Sequence, residues 1–123
     1  MLTMEMLQDA KKVLDGVARK TPVFQSTYIN PDADVYIKCE NMQVTGSFKL
    51  RGAYFKTASL TDAEAQKGVI ACSAGNHAQG VALAAQKKGI PAVICMPESA
   101  PMAKVEATRS YGAEVVLVPG VYD

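Results

Sequence analysis

An open, parallel α/β fold is what the sequence predicts, and three observations carry the prediction. After Gly68, three short apolar runs, Val69–Cys72, Pro91–Met96 and Ala113–Val118, alternate with two segments of helical character, Asn76–Lys88 and Pro101–Tyr111. The runs are apolar throughout instead of alternating with polar residues, the pattern of strands in a sheet covered by helices. The connections are short, and Gly89 and Gly112 stand just past the two helical segments, where glycine closes a helix. A β-α-β-α-β order with such links implies right-handed crossovers between parallel strands. Val69–Cys72, Ala92–Met96 and Val115–Val118 are therefore expected as parallel neighbours in one sheet, with helices on its faces in a three-layer αβα arrangement.

The elements before Gly68 follow from local signals. Leu7, Ala10, Leu14 and Val17 recur at helical spacing, which predicts a helix over Thr3–Val17. It should stop before "KTP", because Pro22 pushes Thr21 into an extended conformation. "VFQSTYI" and "VYIKCE" read as strands, and "NPDAD" between them is turn chemistry, so a hairpin is expected. A helix over Ser47–Ala58 follows, with Ser47 as its N-cap. The next begins at "TDAE", where Thr61 and Glu64 have capping-box spacing, and Gly68 closes it. The chain stops at "PGVYD" directly after the third parallel strand. A sheet of three such strands has poorly covered faces and edges, so the expectation is the front part of a larger protein.

Composition narrows the function classes. Lys and Arg number 13 against 12 acidic residues in 123, which argues against a broad nucleic-acid or anionic-membrane surface. The apolar runs fall far short of the ~20 residues of a membrane span. The start "MLTMEMLQDAKK" has no basic leader or long apolar core, which points to a cytoplasmic protein. Cys39, Cys72 and Cys95 lie far apart in apolar runs, the pattern of reduced core thiols. A single histidine excludes a His-rich metal site.

Two segments could carry chemistry. In "TGSFKLRGAYFK" Lys49 falls in the first turn of a helix, where the partial positive charge opposes a cation. Its neighbours Phe48 and Leu50 are apolar, so partial burial is expected as well. Both effects favour the neutral amine, which is a nucleophile and can form a Schiff base with a carbonyl. The second segment, "CSAGNHAQG", joins a strand to a helix at the end of the sheet where ligands bind in open α/β folds. Its small residues admit close backbone approach, the free N–H groups of the helix start favour an anion, and Ser73, Asn76 and His77 add side-chain donors. Such residues also serve as ordinary turn and capping residues, so the loop alone leaves both readings open. Neither the Walker ending Gly-Lys-Ser/Thr nor the Gly-x-Gly-x-x-Gly dinucleotide pattern is present.

Taken together, "GSFKLRGA" and "CSAGNHAQGVALAA" resemble the threonine dehydratases (threonine ammonia-lyases), which are fold-type-II pyridoxal-phosphate enzymes with a tryptophan-synthase-beta-like fold. "KTPVFQS", "IKCENMQVTGSFKLRGA", "GVIACSAGNHAQGVA" and "MPESAPMAKVEATRSYGAEVVLV" extend the resemblance over most of the chain from about Thr21, and it is strongest to the short, catabolic type. It implies pyridoxal 5'-phosphate as cofactor and a small amino acid, threonine or serine, as substrate. It also implies a homo-oligomer, with a nucleotide effector as a further expectation. Lys49 would hold the cofactor as a Schiff base and move protons at the substrate's Cα. Phe48 would pack near the cofactor ring, and Asn76 would hydrogen-bond its phenolic oxygen. Ser73, Gly75, Asn76 and His77 would grip the substrate carboxylate. Residues 1–52 would belong to the large cofactor domain and 53–123 to a smaller, incomplete α/β domain.

One departure separates the chain from serine racemases, which share these motifs. They carry a second Ser after the loop's first Ser, acting as a base on the opposite face; here that position is Ala74, whose methyl group moves no proton. β-Elimination is therefore preferred to racemisation. The Gly-rich loop that grips the cofactor phosphate in the family would lie beyond Asp123. Its absence leaves open a non-catalytic binding or regulatory module. An unrelated mononucleotide-binding α/β domain is a further alternative, without a visible nucleotide fingerprint.

Overall fold

A computed structural model describes residues 2–120. The elements run α1 (Met4–Val13), β1 (Val23–Ser26), β2 (Val35–Lys38), a short 3-10 turn (Glu40–Met42), α2 (Lys49–Ala58), α3 (Asp62–Lys67), β3 (Val69–Cys72), α4 (Asn76–Lys88), β4 (Ala92–Pro97), α5 (Met102–Ser110) and β5 (Glu114–Val118). The strands β3, β4 and β5 form one parallel sheet in that order, with Cys72 beside Cys95 and Ile94 beside Val115. This is the predicted topology. β1 and β2 form the predicted antiparallel hairpin, with Val23 opposite Lys38 and Ser26 opposite Val35.

Helix α4 organises the packing. All residues from Ala78 to Ala85 are buried, because α4 packs on β3 and β4, on α5 and along α2. Its small side chains allow these close approaches. Ala92, Ile94 and Met96 of β4 point into the same core, together with Val105 of α5 and Ala53 of α2. Among the described residues the other sheet face is bare: Ile70 is 75% exposed and Cys72 is exposed, while Val93 and Cys95 are half-buried. The junction from α3 to β3 is closely packed. Gly68 has φ +77°, and a Cβ there would lie 2.6 Å from the Pro91 carbonyl oxygen. Thr61 and Glu64 form the predicted reciprocal capping box at the start of α3.

Several boundaries differ from expectation for local reasons. α1 starts after the Thr3 cap as expected but ends at Val13, four residues early, because Asp15–Gly16 turns the chain. The hairpin strands are shorter than predicted. Thr27–Asp34 is taken up by the turn, in which Asn30 Oδ1 accepts from the Asp32 N–H at 2.9 Å. Ser47 is not the N-cap of α2. Phe48 holds that position, and the Ser47 hydroxyl instead accepts from the Lys49 N–H at 3.2 Å. Pro101 and Tyr111 flank α5 as its caps and lie outside it.

Candidate active site

Lys49 is the first residue of α2, and a closed polar ring fixes the segment around it. The Glu40 carboxylate accepts from Arg51 Nε and Nη2, both at 2.8 Å, and from the Thr21 hydroxyl at 2.6 Å. Arg51 Nη2 also donates to the Arg19 carbonyl at 3.2 Å. Buried Gln43 accepts from the Arg19 and Val44 N–H groups at 2.8 and 3.0 Å and donates back to the Arg19 carbonyl at 3.1 Å. Lys38 Nζ completes the ring on the Thr21 carbonyl and hydroxyl at 2.7 and 2.6 Å. The Arg51 hydrogen bonds, opposed by burial and helped by Thr21, lower the Glu40 pKa to about 2, and the same pair raises that of Arg51. Glu40 and Arg51 therefore tie down the chain on both sides of Lys49, and the Arg51 charge is committed to Glu40.

The Lys49 side chain is exposed, which overturns the expected partial burial. Adjacent residues of a helix point about 100° apart, so flanking apolar residues do not cover it. Leu50 is fully buried, whereas Phe48 is 58% exposed and lies under the ammonium, 5.4 Å from Nζ to the ring centroid.

The loop after β3 is built to leave donors free. Ser73 is buried, and its N–H continues the parallel ladder by donating to the Cys95 carbonyl at 3.1 Å. Its hydroxyl accepts from the Gly75 N–H at 3.3 Å. Gly75 occupies the N-cap of α4 and supplies no side-chain cap, and the first turn carries no acid. A Cβ at Gly75 would meet nothing within 4 Å, so the loop borders open space. Asn76 and His77 are both exposed, and the Asn76 Oδ1 accepts from Lys104 Nζ of α5 at 2.7 Å.

Gly80 brings the two segments together. A Cβ at Gly80 would sit 3.2 Å from the Lys49 carbonyl carbon and oxygen and 3.3 Å from the Leu50 nitrogen. Gly80 lies one helical turn beyond Asn76, so the starts of α2 and α4 adjoin. Lys49 and the loop of residues 73–77 thus stand at adjoining ends of two packed helices. A cavity of about 630 Å³ lies elsewhere, between α1 and α2, lined by Leu7, Leu14, Lys20 and Phe55 among others. Neither Lys49 nor the 73–77 loop lines it. Gly80, Glu40 and Lys104 went unnoticed in the sequence. Of these only Gly80 left a signal, as an isolated glycine inside a helix, and Gly52 of α2 carries the same signal without a close neighbour.

The fold is a parallel β/α sheet whose loop after β3 lies beside the start of the helix that carries an exposed lysine. The chain belongs to the pyridoxal-phosphate dependent enzyme family, whose model matches residues 14–123. It is 48% identical over 125 residues to an L-threonine ammonia-lyase of Thermotoga maritima, covering 100% of this chain and 31% of that protein. It is 52% identical over 114 residues to the catabolic L-threonine dehydratase TdcB of Staphylococcus aureus, covering 90% of this chain and 33% of that protein. Serine racemase from Dictyostelium discoideum shares the fold with a TM-score of 0.89 at 37% identity, covering 98% of this chain and 40% of that one. The chain spans about a third of the length of the curated relatives it matches. The family's cofactor is pyridoxal 5'-phosphate. An exposed primary amine at the start of α2, with the Lys49 backbone against Gly80 of α4 and open space at Gly75, fits the aldehyde end of that group.

Proposed function

We propose that this chain supplies the Schiff-base lysine and the carboxylate-gripping loop of an ammonia-lyase that converts L-threonine or L-serine to a 2-oxo acid and ammonia. One observation carries the reading: the backbone of Lys49 lies against α4 one turn from Asn76, which supports one site that joins the Lys49 amine to an anion-favouring helix start. The reading also draws on the names of the curated relatives. When bound, pyridoxal phosphate supplies the carbonyl carbon for an amine and the ring that withdraws electrons from the substrate's Cα. Lys49 would offer the amine that meets the cofactor's aldehyde carbon, and would take up the substrate's Cα proton. The backbone N–H groups at the start of α4, with Ser73, Gly75 and His77 around them, hold the substrate carboxylate against the positive end of the helix. Asn76 would donate to the cofactor's phenolic oxygen, and Phe48 would pack near its ring. Loss of the β-hydroxyl removes one water, and hydrolysis returns one, so threonine yields 2-oxobutanoate and ammonia in balance. Residues 1–52 would belong to the large cofactor domain and residues 53–123 to the smaller one, and α2 runs through that boundary.

Two measurements test this reading. The gene product that carries this chain should yield 2-oxobutanoate from threonine. Borohydride reduction in the presence of pyridoxal phosphate should label Lys49, as found by peptide mapping. No label at Lys49, or full turnover by K49A, would refute it. Racemisation is the second reading, favoured by the likeness to a serine racemase. Ala74 weighs against it, because a methyl group offers no base for the opposite face of Cα.

A further inference from the structure

We propose that Lys104 is a positioning residue for Asn76: its ammonium occupies the amide oxygen, so that the Asn76 NH2 is the group presented to the site. The inference rests on the reading of Asn76 as donor to the cofactor's phenolic oxygen.

An ammonium has donors only, so the group it meets at 2.7 Å must be the amide oxygen. The amide is planar, so fixing Oδ1 on Lys104 turns Nδ2 the other way. Asn76 is exposed, and among the described residues its side chain makes no other hydrogen bond, so nothing else selects between the two amide orientations. The flipped amide would aim its oxygen at an oxyanion and repel it. Lys104 itself is well anchored. Its N–H donates to the Pro101 carbonyl at 2.8 Å, and its carbonyl accepts from the buried Thr108 hydroxyl at 2.8 Å. The next residue, Val105, is in the core that α5 shares with α4. The reach from α5 to Asn76 therefore starts from a fixed point.

Electrostatics argues that this contact serves a ligand and not stability. A cation beside a helix N-terminus opposes the helix dipole. The first turn of α4 holds no acid, and among the described residues Lys104 makes no salt bridge. Left alone, the ammonium adds positive charge where it is already in excess. An anionic oxygen arriving at the same place relieves that cost, and the Asn76 amide then lies between two groups that favour the same orientation, the ammonium at its oxygen and the anion at its NH2.

The test compares K104M, K104Q, K104R, N76A and the double variant K104M/N76A in the gene product that carries this chain. The first readout is the visible absorption band of the protein-bound cofactor, which moves to shorter wavelength when the phenolic oxygen is no longer held as an anion. K104M and K104Q should shift the band to shorter wavelength and lower kcat on the order of tenfold. K104R should restore most of both. In the N76A background K104M should add little, because Lys104 acts through Asn76. A K104M band and kcat like those of the unsubstituted protein, or a full further loss in the N76A background, would overturn the inference alone. If Lys49 takes no borohydride label in the unsubstituted protein, the parent reading fails and this inference with it.

Discussion

Glu40 is the clearest place to put a number on the ring that holds Lys49. Its side chain is only 17% exposed, and its pKa falls from 4.5 to about 2, chiefly through the paired Arg51 hydrogen bonds. At roughly 1.4 kcal/mol per pH unit, this depression corresponds to about 3 kcal/mol of stability, an order-of-magnitude figure. The sign follows from linkage. A carboxylate with a depressed folded-state pKa contributes fully above its unfolded value near 4.5, and the contribution fades as pH falls toward 2. The perturbation is E40Q, which keeps the size of the side chain but leaves Arg51 without an anion. Urea unfolding of both proteins should be followed from pH 7 to pH 2. E40Q should be less stable by about 3 kcal/mol at pH 7, and the gap should close between pH 4.5 and 2. Because the pair is mostly shielded from solvent, the gap should persist in ~1 M salt, unlike that of an exposed pair. Other carboxylates titrate alike in both proteins and cancel in the difference. Parallel stability curves for the two proteins over that pH window would refute the account of Glu40.

Three further outcomes follow from particular contacts. G80A should cost about 1–3 kcal/mol by pushing α2 away from α4, and it should lower kcat of the gene product more than KM changes; an unaltered kcat would show that Lys49 tolerates the displacement. G68A should cost more than G80A in a thermal-unfolding comparison, because positive φ and the close Pro91 carbonyl both oppose a Cβ there; equal Tm values for G68A and the parent protein would contradict the geometry. T61A should lose about 1 kcal/mol through the capping box of α3, read by urea unfolding, with no change in borohydride labelling of Lys49.

The parts of this fold that could be read from the sequence are those that local rules decide. β3 and α4 have the boundaries that the apolar run, the loop and Gly89 indicate, because each residue there answers to its near neighbours. The capping box of Thr61 and Glu64 is likewise a three-residue affair. What escaped were contacts between distant positions: Glu40 with Arg51, eleven residues apart, and Lys104 with Asn76, twenty-eight apart. Ser47 misled for a related reason. Its hydroxyl does accept from a helix N–H, but the chain has already turned into the helical region at Phe48, so the cap position had moved on by one.

Lys49 itself shows most clearly what a sequence can and cannot tell. Flanking apolar residues suggested burial, yet the helix sends Leu50 to the core and leaves Lys49 outside. On the proposed reading of Lys49 as the cofactor's lysine, an exposed amine is the form that can meet the cofactor. The site therefore depends less on hiding the lysine than on fixing where its backbone begins. Gly80 fixes it from the α4 side by permitting contact, and the Glu40–Arg51 pair fixes it from the hairpin side by closing the chain around it. If positioning rather than burial is what the scaffold supplies, E40Q and G80A should each change borohydride labelling of Lys49 by pyridoxal phosphate, and their effects should not add. Both act on the same rigid body, and coupled residues show interaction energies that distant ones lack. Independent, fully additive effects on labelling would mean that the two supports hold different things, and that the ring around Glu40 stabilises the fold without setting the lysine.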